Sequence, residues 1–256
     1  MRERNRGIRP SGNEDPEVTA LNMSQLFYTP KIENGFAVFE EEEARHLSTV
    51  LRKKTGDLLQ GTDGRGFFYE MELADAGKRQ VLARIVSKTA AAPLPPGKLH
   101  IGIAPTKQME RLEWFLEKAT EIGIHEITPL LCQRSERDTL RLDRLEKILV
   151  SAMKQSLRAW LPKLNPLTRF QDFAQKTNEA QKCLAWCAEE PMPHLKHALH
   201  PHLDAVIAIG PEGDFSPEEV QIALANGFQG VSLGEARLRT ETAGLMATSV
   251  FNVVNI

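Results

Sequence analysis

The spacing of apolar residues predicts a small β-rich domain in the first third of the chain. From Leu26 to Lys88, short apolar runs are separated by turns, and Asp63-Gly64 is typical of a hairpin turn. One stretch, "EEEARHLSTVLR" at 41–52, has helical spacing instead. The apolar residues on its predicted face are Ala44, Leu47, Val50 and Leu51. We assign residues 23–90 to this domain.

The pattern changes after a proline-rich stretch. Residues 91–97 contain three prolines, which interrupt both helices and strands, and this favours a linker. Helices are predicted over Lys107–Ile122, where Gly123 ends the helix, and over Leu142–Trp160. The predicted strands around them are "KLHIGIA", "HEITPLL", "CLAWCA", "DAVIAIG" and "GVSLG". Such alternation predicts an α/β domain over residues 98–256, with a parallel sheet covered by helices.

Composition narrows the class of protein. A chain of 256 residues that is 41% hydrophobic suits two folded domains, and no stretch approaches the ~20 apolar residues needed to span a membrane. Three cysteines without metal-ligand spacing favour a reducing cytoplasm. Residues 1–22 are polar and aperiodic, so we expect a disordered leader or tag there, with Met23 as the natural start.

The net charge of −2 is unevenly distributed along the chain. Residues 98–165 carry 12 basic and 9 acidic side chains, whereas residues 166–256 carry 6 basic and 11 acidic ones. Phosphates of a nucleic acid interact mainly with the charges on the protein surface nearest to them. Any RNA contact is therefore expected in the basic middle part of the chain, residues 98–165. A solvated surface of mixed charge is the alternative interpretation of these counts.

Two glycine-containing turns are the main candidates for chemistry. The first, "IGPEGDFSPEEV" at 209–220, combines a strand end, a turn and a helix start, where Ser216 and Glu219 form a predicted capping box. That helix start is satisfied by its own side chains, and Glu212 and Asp214 add negative charge beside it. A phosphate ligand is therefore disfavoured. An ordinary turn without a ligand is the alternative.

The second turn, "VSLGEARLRTETAGLMA" at 231–247, also leads from a strand through glycine into a helix. Charged and hydroxyl side chains crowd the approach to this final helix: Arg237, Arg239, Thr240, Glu241 and Thr242. Two such turns at the carboxyl ends of neighbouring parallel strands form the crevice in which open α/β sheets bind ligands. We expect a polar ligand without strong negative charge, held largely by backbone groups that glycine leaves accessible.

These two stretches resemble the signature loops of the bacterial 16S ribosomal RNA uracil-1498 N3-methyltransferase family, which belongs to the SPOUT methyltransferases. Three more stretches are similar to that family: "HLSTVLRKKTGD" at 46–57, "LEWFLEKATEIGIHEITPLL" at 112–131 and "KQSLRAWLPKL" at 154–164. The resemblance covers residues 23–256. This sequence departs from it at Asp214, where the second glycine of "GPEGG" is expected, and at "KQSLRAWLP", where "EQSGR" is more usual.

The resemblance implies a SPOUT-type α/β fold, in which a small PUA-like β-barrel precedes a trefoil-knotted, parallel-sheet methyltransferase domain. It also implies a homodimer, for which the apolar final helix is a candidate interface. The implied cofactor is S-adenosylmethionine, a ligand without phosphate that suits turns offering backbone amides and carbonyls. The residues that the resemblance implies for its binding are Ala188, Ile209, Gly210, Glu212, Gly213, Leu233, Gly234, Leu238, Thr240, Thr242 and Ala243.

The implied activity is methyl transfer to N3 of a uridine in 16S rRNA, presented free or in the 30S subunit. The uracil N3 edge is hidden in a base pair and carries a weakly acidic proton, so the base must be exposed and deprotonated. Arg239 is the candidate cation for the developing anion, and Arg237 is the second choice. Glu241 is the candidate proton acceptor, although a negative charge at a helix start is its alternative role.

RNA phosphates are expected to contact basic side chains, each of which is a solvated surface charge in the alternative interpretation. The candidates are Arg52, Lys53, Lys54, Lys107, Arg111, Arg134, Lys154, Arg158 and Arg237. No metal is expected, since the histidines lack ligand spacing. Two other functions stay open: a related SPOUT enzyme that methylates the ribose 2′-hydroxyl of RNA, and a noncatalytic RNA-binding factor for ribosome assembly.

Overall fold

The computed structural model describes residues 25–77, 79–92, 94, 96–188 and 190–256. The predicted leader or tag at 1–22 lies outside these residues, as do two of the three prolines in the predicted linker, at 93 and 95. The described residues form two sheets that follow one another along the chain.

The first sheet has six strands and is antiparallel except at one edge. Its strands are β1 (Phe27–Tyr28), β2 (Ile32–Glu33), β3 (Phe36–Glu40), β4 (Leu58–Thr62), β5 (Phe67–Ala76) and β6 (Gln80–Ala90), in the order β1-β4-β5-β6-β3-β2. The hairpin turn predicted at Asp63-Gly64 is confirmed, since it joins β4 to antiparallel β5. Asp63 Oδ1 accepts a hydrogen bond of 2.8 Å from the amide of Arg65, and Gly64 has a φ of 73°.

The helical segment of this domain differs in one respect from the sequence-based expectation. Helix α1 (Glu41–Arg45) continues as a wider, π-helical turn over His46–Val50, in which the amide of Leu51 bonds to the carbonyl of His46 at 2.9 Å. Ala44 and Leu47 are buried as predicted, but Val50 is 66% exposed. The assignment of Val50 to the buried face was wrong because the π-helical turn changes the angular spacing of side chains.

The second sheet is parallel throughout, as predicted. Its strands are β7 (Leu99–Ile103), β8 (Glu126–Leu131), β9 (Lys163–Leu164), β10 (Thr168–Arg169), β11 (Gln181–Ala185), β12 (Ala205–Ile209) and β13 (Gln229–Val231). The order is β10-β8-β7-β12-β11-β13, with β9 also beside β8. The chain therefore enters at β7 in the middle of the sheet, moves to one edge, and returns to place β12 beside β7. The ends of β11, β12 and β13 lie level, since Ala185 is in register with both Ile209 and Val231.

Helices cover both faces of the parallel sheet. They are α2 (Met109–Ile122), α3 (Leu142–Gln155), α4 (Phe170–Lys176), α5 (Leu195–Ala198), α6 (Pro217–Ala225) and α7 (Thr240–Val254). On one face, α2, α3 and α7 contribute Phe115, Leu149 and Phe251 to the core. On the other face, aromatic residues dominate, among them Phe173 of α4 and Phe228. Both faces of the central strands are buried, which explains why these strands are continuous apolar runs.

Two helix boundaries correct the sequence-based predictions. Helix α2 ends at Ile122 as predicted, with Gly123 at a φ of 123°, but it begins at Met109 and not at Lys107. Helix α3 ends at Gln155, five residues before the predicted Trp160. Leu157 has a left-handed φ of 52°, which an α-helix does not contain, so the chain turns away at this point.

The two sheets contact each other through the segment that follows α3. The amide of Gly66 donates to the carbonyl of Ala159 at 2.8 Å, and the amide of Leu161 donates to the carbonyl of Gly64 at 3.0 Å. The ring of Trp160 lies so close to Gly66 that a Cβ there would be 2.2 Å from it. The tight turn between β4 and β5 therefore docks on the parallel-sheet domain and needs glycine to do so.

Candidate functional site

Three segments meet where the neighbouring strands β11, β12 and β13 end. They are residues 186–188 after β11, residues 210–216 after β12 and residues 232–239 after β13. We call the second segment the β12 turn and the third the β13 loop. The start of α7 closes the group, because the Thr240 hydroxyl donates to the carbonyl of Gly210 at 3.1 Å. The two glycine turns thus lie at the same carboxyl edge of the sheet, and we call the space between the three segments the crevice. The prediction that the two turns follow neighbouring strands was wrong, because β11 lies between β12 and β13.

The β12 turn is satisfied internally. The amide of Asp214 donates to the carbonyl of Pro211 at 2.9 Å. The predicted capping box is confirmed: the amide of Glu219 donates to the Ser216 hydroxyl at 3.2 Å, and the amide of Ser216 donates to the Glu219 carboxylate at 2.9 Å. The second Glu219 oxygen accepts the amide of Gln133 at 2.8 Å. Few groups of this helix start are left for an anion.

Two loops from other strands hold the β12 turn from outside. The Glu212 carboxylate accepts the amide of Lys107 at 3.0 Å, and the Arg134 guanidinium donates to the carbonyl of Gly213 at 2.8 Å. Arg137 in turn donates to the carbonyl of Lys107 at 3.0 Å. The β12 turn is therefore part of a three-loop assembly, and the Glu212 and Arg134 side chains both make bonds within the protein.

The β13 loop is open by comparison. Gly234 has a φ of 125°, and a Cβ at this position would meet nothing within 4 Å. Arg237 and Arg239 are exposed, and neither forms an ion pair with another residue in the described part of the chain. Leu233 packs at the edge of the hydrophobic core and anchors the loop. The β13 loop thus places two exposed guanidinium groups, neither of them in an ion pair among the described residues, close in sequence to Gly234, which has free space beside it.

The first turn of α7 contains a buried acid. Glu241 is buried, and its Oε1 lies 3.8 Å from Nε of Arg111 on α2. The other carboxylate oxygen, Oε2, is shielded from solvent and has no hydrogen-bond partner among the described residues. Arg239 occupies the N-cap position without a side-chain cap, so the helix start faces the crevice uncapped. A buried carboxylate oxygen without a donor is a group that a ligand can satisfy.

Comparisons with known proteins agree with this geometry. A model of the RNA methyltransferase domain matches residues 93–252, and a model of the RNA methyltransferase PUA domain matches residues 39–86. A relative from Synechocystis, named ribosomal RNA small subunit methyltransferase E, is 32% identical over 221 residues, which cover 83% of this chain and 71% of the relative. The chain belongs to the ribosomal RNA small subunit methyltransferase E family.

Solved structures of related methyltransferases have the same overall fold. The crystal structure of a "probable rRNA-methyltransferase" from Porphyromonas gingivalis has a TM-score of 0.84 and 40% identity, and covers 90% of this chain and 98% of its own. A ribosomal RNA small subunit methyltransferase E from Neisseria gonorrhoeae, solved bound to S-adenosylmethionine, has a TM-score of 0.78 and 26% identity, with coverage of 90% and 97%. The predicted family and the predicted PUA-plus-parallel-sheet architecture are confirmed; the trefoil knot stays a prediction.

Basic residues predicted for RNA contact fall into two groups in this methyltransferase E chain. Arg52 and Lys54 are exposed after the π-helical turn, with Lys53 half-buried between them, and Lys107 is exposed near Glu136, 2.8 Å away. By contrast, Lys154 pairs with Glu43 at the junction of the two sheets. Arg158 is half-buried and donates to the carbonyl of Ile122 at 2.7 Å. Both of these side chains bond within the protein.

The remaining predicted cofactor residues lie within the three segments or directly beside them, at the end of β12 and in the first turn of α7. Ile209 and Gly210 are buried at the end of β12, whereas Ala188, Leu238, Thr242 and Ala243 are half-buried around the crevice. Sequence reasoning named Arg134 of the loop at 132–141 as an RNA contact but missed that this loop holds the β12 turn, to which Gln133 and Arg137 also contribute. No local signal predicts these contacts, since they join residues far apart in the chain.

Two further findings concern ligands and membranes. In the described part of the chain, no three His, Cys, Asp or Glu side chains cluster in a way suited to a metal ion. None of the helices described is both long and apolar enough to cross a lipid bilayer.

Proposed function

We propose that this methyltransferase transfers a methyl group from S-adenosylmethionine to N3 of a uridine in 16S rRNA, of the position-1498 type, in the cytoplasm. The observation that carries the proposal is the crevice at the ends of β11, β12 and β13, in a chain whose relative from Neisseria gonorrhoeae was solved with S-adenosylmethionine bound. The chemical target within the RNA rests on the resemblance of the two turns to the N3-methyltransferase loops.

The residues of the crevice fit this cofactor. S-adenosylmethionine supplies an electrophilic methyl group and carries hydroxyl and amino donors but no phosphate, which matches a crevice with acidic side chains and backbone acceptors. The open space above Gly234 admits a ligand close to the main chain. We assign the cofactor to these segments: Ala188 after β11, Ile209, Gly210, Glu212 and Gly213 of the β12 turn, Leu233, Gly234 and Leu238 of the β13 loop, and Thr240, Thr242 and Ala243 of α7.

Within these segments, Glu212 acts on the pocket indirectly. Its carboxylate accepts the Lys107 amide at 3.0 Å, so it fixes the shape of the β12 turn. Gly213 is held by Arg134 in the same way. The backbone of this turn is therefore preorganised, and preorganised sites bind with a smaller entropic cost.

The uracil ring must be presented with its N3 edge exposed and must lose the N3 proton as the methyl group approaches. Arg239 is exposed at the mouth of the crevice, so its guanidinium is available to stabilise the negative charge that develops on the uracil. Glu241 is the acceptor for the N3 proton, since one of its carboxylate oxygens has no donor of its own. Arg237 is the second cation of the β13 loop and contacts RNA phosphate in this proposal.

We further propose that the RNA extends over the exposed cations Arg52, Lys54, Lys107 and Arg134. The half-buried Lys53 and Arg111 lie beside this surface and are its remaining candidate contacts. Lys154 and Arg158 contribute by holding the fold, since their side chains already have partners.

A homodimer is part of the same proposal. Helix α7 leaves Met246 39% exposed and Val253 68% exposed, and Trp114 of α2 is exposed nearby in the fold, since α2 packs against α7. Apolar side chains at this spacing on an otherwise buried helix suit a contact with a second copy. Size-exclusion chromatography with multi-angle light scattering is expected to give twice the mass of one chain, which is 28.7 kDa.

The activity is tested by deleting the gene and restoring it. Mass spectrometry of 16S rRNA fragments from the deletion strain should lack one 3-methyluridine, and the restored gene should return it. Persistence of 3-methyluridine in the deletion strain would overturn the proposed target. Loss of a 2′-O-methyl group in its place would assign the enzyme to ribose methylation.

A further inference from the structure

Asp214 occupies a backbone conformation that is unfavourable for its side chain. Its φ is 62°, in the left-handed region where glycine is the usual residue, although aspartate and asparagine tolerate it better than most. The family resemblance places glycine at this position. An aspartate that accepts such a conformation must be compensated by what its side chain does.

The Asp214 carboxylate bonds to two separate segments of the crevice. Oδ1 accepts the amide of the next residue, Phe215, at 2.8 Å. Oδ2 accepts the amide of Cys187, 27 residues earlier in the chain, also at 2.8 Å. One side chain thus connects the β12 turn to residues 186–188, and glycine at this position provides neither bond.

The surroundings show why this connection matters for the shape of the crevice. Cys187 precedes Ala188, which we assign to the cofactor. Burial and the negative charge of Asp214 raise the pKa of the Cys187 thiol, whereas Arg237 of the β13 loop acts in the opposite direction. On its other side, the β12 turn is held by the bond from Arg134 to Gly213. Residues 186–188 follow β11 and are exposed in part, so the bond to Asp214 restrains their position relative to the β12 turn.

We propose that Asp214 is a positioning residue for the cofactor, holding residues 186–188 against the β12 turn so that the pocket is formed before ligand binds. The inference rests on the proposed function, because it concerns the S-adenosylmethionine site. Both carboxylate oxygens are occupied by backbone amides, so Asp214 acts through the position of the main chain and not by contact with the reacting atoms.

The test compares Asp214→Gly, Asp214→Asn and wild type in the full chain. Glycine removes both bonds but relieves the left-handed backbone of its side chain, so the two effects oppose each other and thermal stability without ligand should change little. The dissociation constant for S-adenosylmethionine, measured by calorimetry, should rise about tenfold, because a hydrogen bond to a charged group and the preorganisation it provides are lost. Hydrogen exchange at the Cys187 amide should become faster.

Two further variants serve for comparison. Asp214→Asn keeps one acceptor oxygen, so its dissociation constant should fall between those of wild type and Asp214→Gly. Asp75→Asn, an exposed acid on β5, is the matched control and should change nothing.

The outcomes separate the two proposals. Wild type that binds S-adenosylmethionine while Asp214→Gly binds it within twofold, with unchanged exchange at Cys187, would overturn the positioning role alone. Wild type without measurable binding would overturn the proposed function and the positioning role together. A fall in stability equal to the loss in binding would assign Asp214 to general folding, and this too would overturn the inference. If Asp214→Gly does not fold, the same comparison is made with Asp214→Asn.

Discussion

The β12 turn and the β13 loop leave parallel strands on either side of β11, and they are built in opposite ways. The β12 turn is bonded on several sides, through its own capping box and through Lys107 and Arg134. The β13 loop leaves Arg237 and Arg239 exposed and a glycine with open space above it. Under the proposed function, this difference corresponds to a division of roles, in which the β12 turn forms a fixed wall of the cofactor site and the β13 loop carries the groups that act on substrate.

Removal of the Arg239 side chain from the β13 loop is expected to have the largest effect on the rate of methyl transfer. Arg239→Ala should lower the rate of methyl transfer by about 100-fold or more, as loss of a charge-stabilising donor does in other enzymes. Calorimetry should show cofactor binding within about twofold of wild type, because Arg239 makes no bond that shapes the pocket. Arg237→Ala is the matched control and should raise KM for RNA with little change in kcat. Near-normal turnover of Arg239→Ala would remove it from the mechanism.

A substitution at Glu241 tests whether the start of α7 takes part in methyl transfer or only stabilises the fold. Glu241→Gln keeps the size of the side chain and removes its ability to take a proton, so we expect transfer to slow by about 100-fold. Single-turnover kinetics with bound cofactor measure this rate. Glu235→Gln, an exposed acid in the β13 loop, serves as the control. A variant that loses only thermal stability would show that Glu241 acts as charge at a helix start.

Substitutions in the β12 turn should have the opposite effect to those in the β13 loop: they should lower the stability of the fold and change the rate of methyl transfer little. Ser216→Ala removes the acceptor of the Glu219 amide and should cost about 1 kcal/mol of folding free energy. The midpoint of thermal unfolding should fall by roughly 2–4 °C for a domain of this size. Ser151→Ala, on the exposed side of α3, is the control. If Ser216→Ala slows transfer as strongly as Arg239→Ala, the proposed division of roles is wrong.

A third glycine turn, between β4 and β5, provides the smallest expected effect and lies outside the crevice. Burial and the hydrogen bond to Asp63 raise the pKa of Tyr69 from 10.0 to about 12 in the folded protein. Between these values the unfolded chain loses the phenol proton before the folded chain does, so stability is full below pH 10 and falls as the pH rises towards 12. Denaturant unfolding of wild type and Tyr69→Phe at pH 9 to 11 should show that this part of the decline is absent in the variant. Equal slopes would exclude the phenol as the cause.

Local patterns in the sequence predicted the longer strands, the capping box and the turns, because each depends on residues close together in the chain. The two-residue strands β1, β2, β9 and β10 were not predicted. Val50 and the end of α3 were mispredicted, since a π-helical turn and a left-handed Leu157 have no signature in apolar spacing. The inward bonds of Arg158 to the end of α2 could not be predicted either. The sequence alone does not distinguish a basic residue that bonds to the end of a distant helix from a basic residue on the surface that can bind RNA.

The Asp214 conformation shows the same limit at the site. The sequence identified Asp214 as a departure from the family pattern, but its bond to the amide of Cys187 depends on the register that places β11 beside β12. The family could be recognised from two contiguous stretches, whereas the bonds that shape the crevice join segments from separate strands.

The most direct test of the proposed function is transfer of an isotopically labelled methyl group by the purified protein. Small ribosomal subunits from the deletion strain would be incubated with S-adenosylmethionine whose methyl group carries deuterium, and nuclease fragments of the 16S rRNA would be analysed by mass spectrometry. The prediction is one fragment with labelled 3-methyluridine for wild type, and almost none for Arg239→Ala. Label on a ribose oxygen, or no label with wild type, would contradict it.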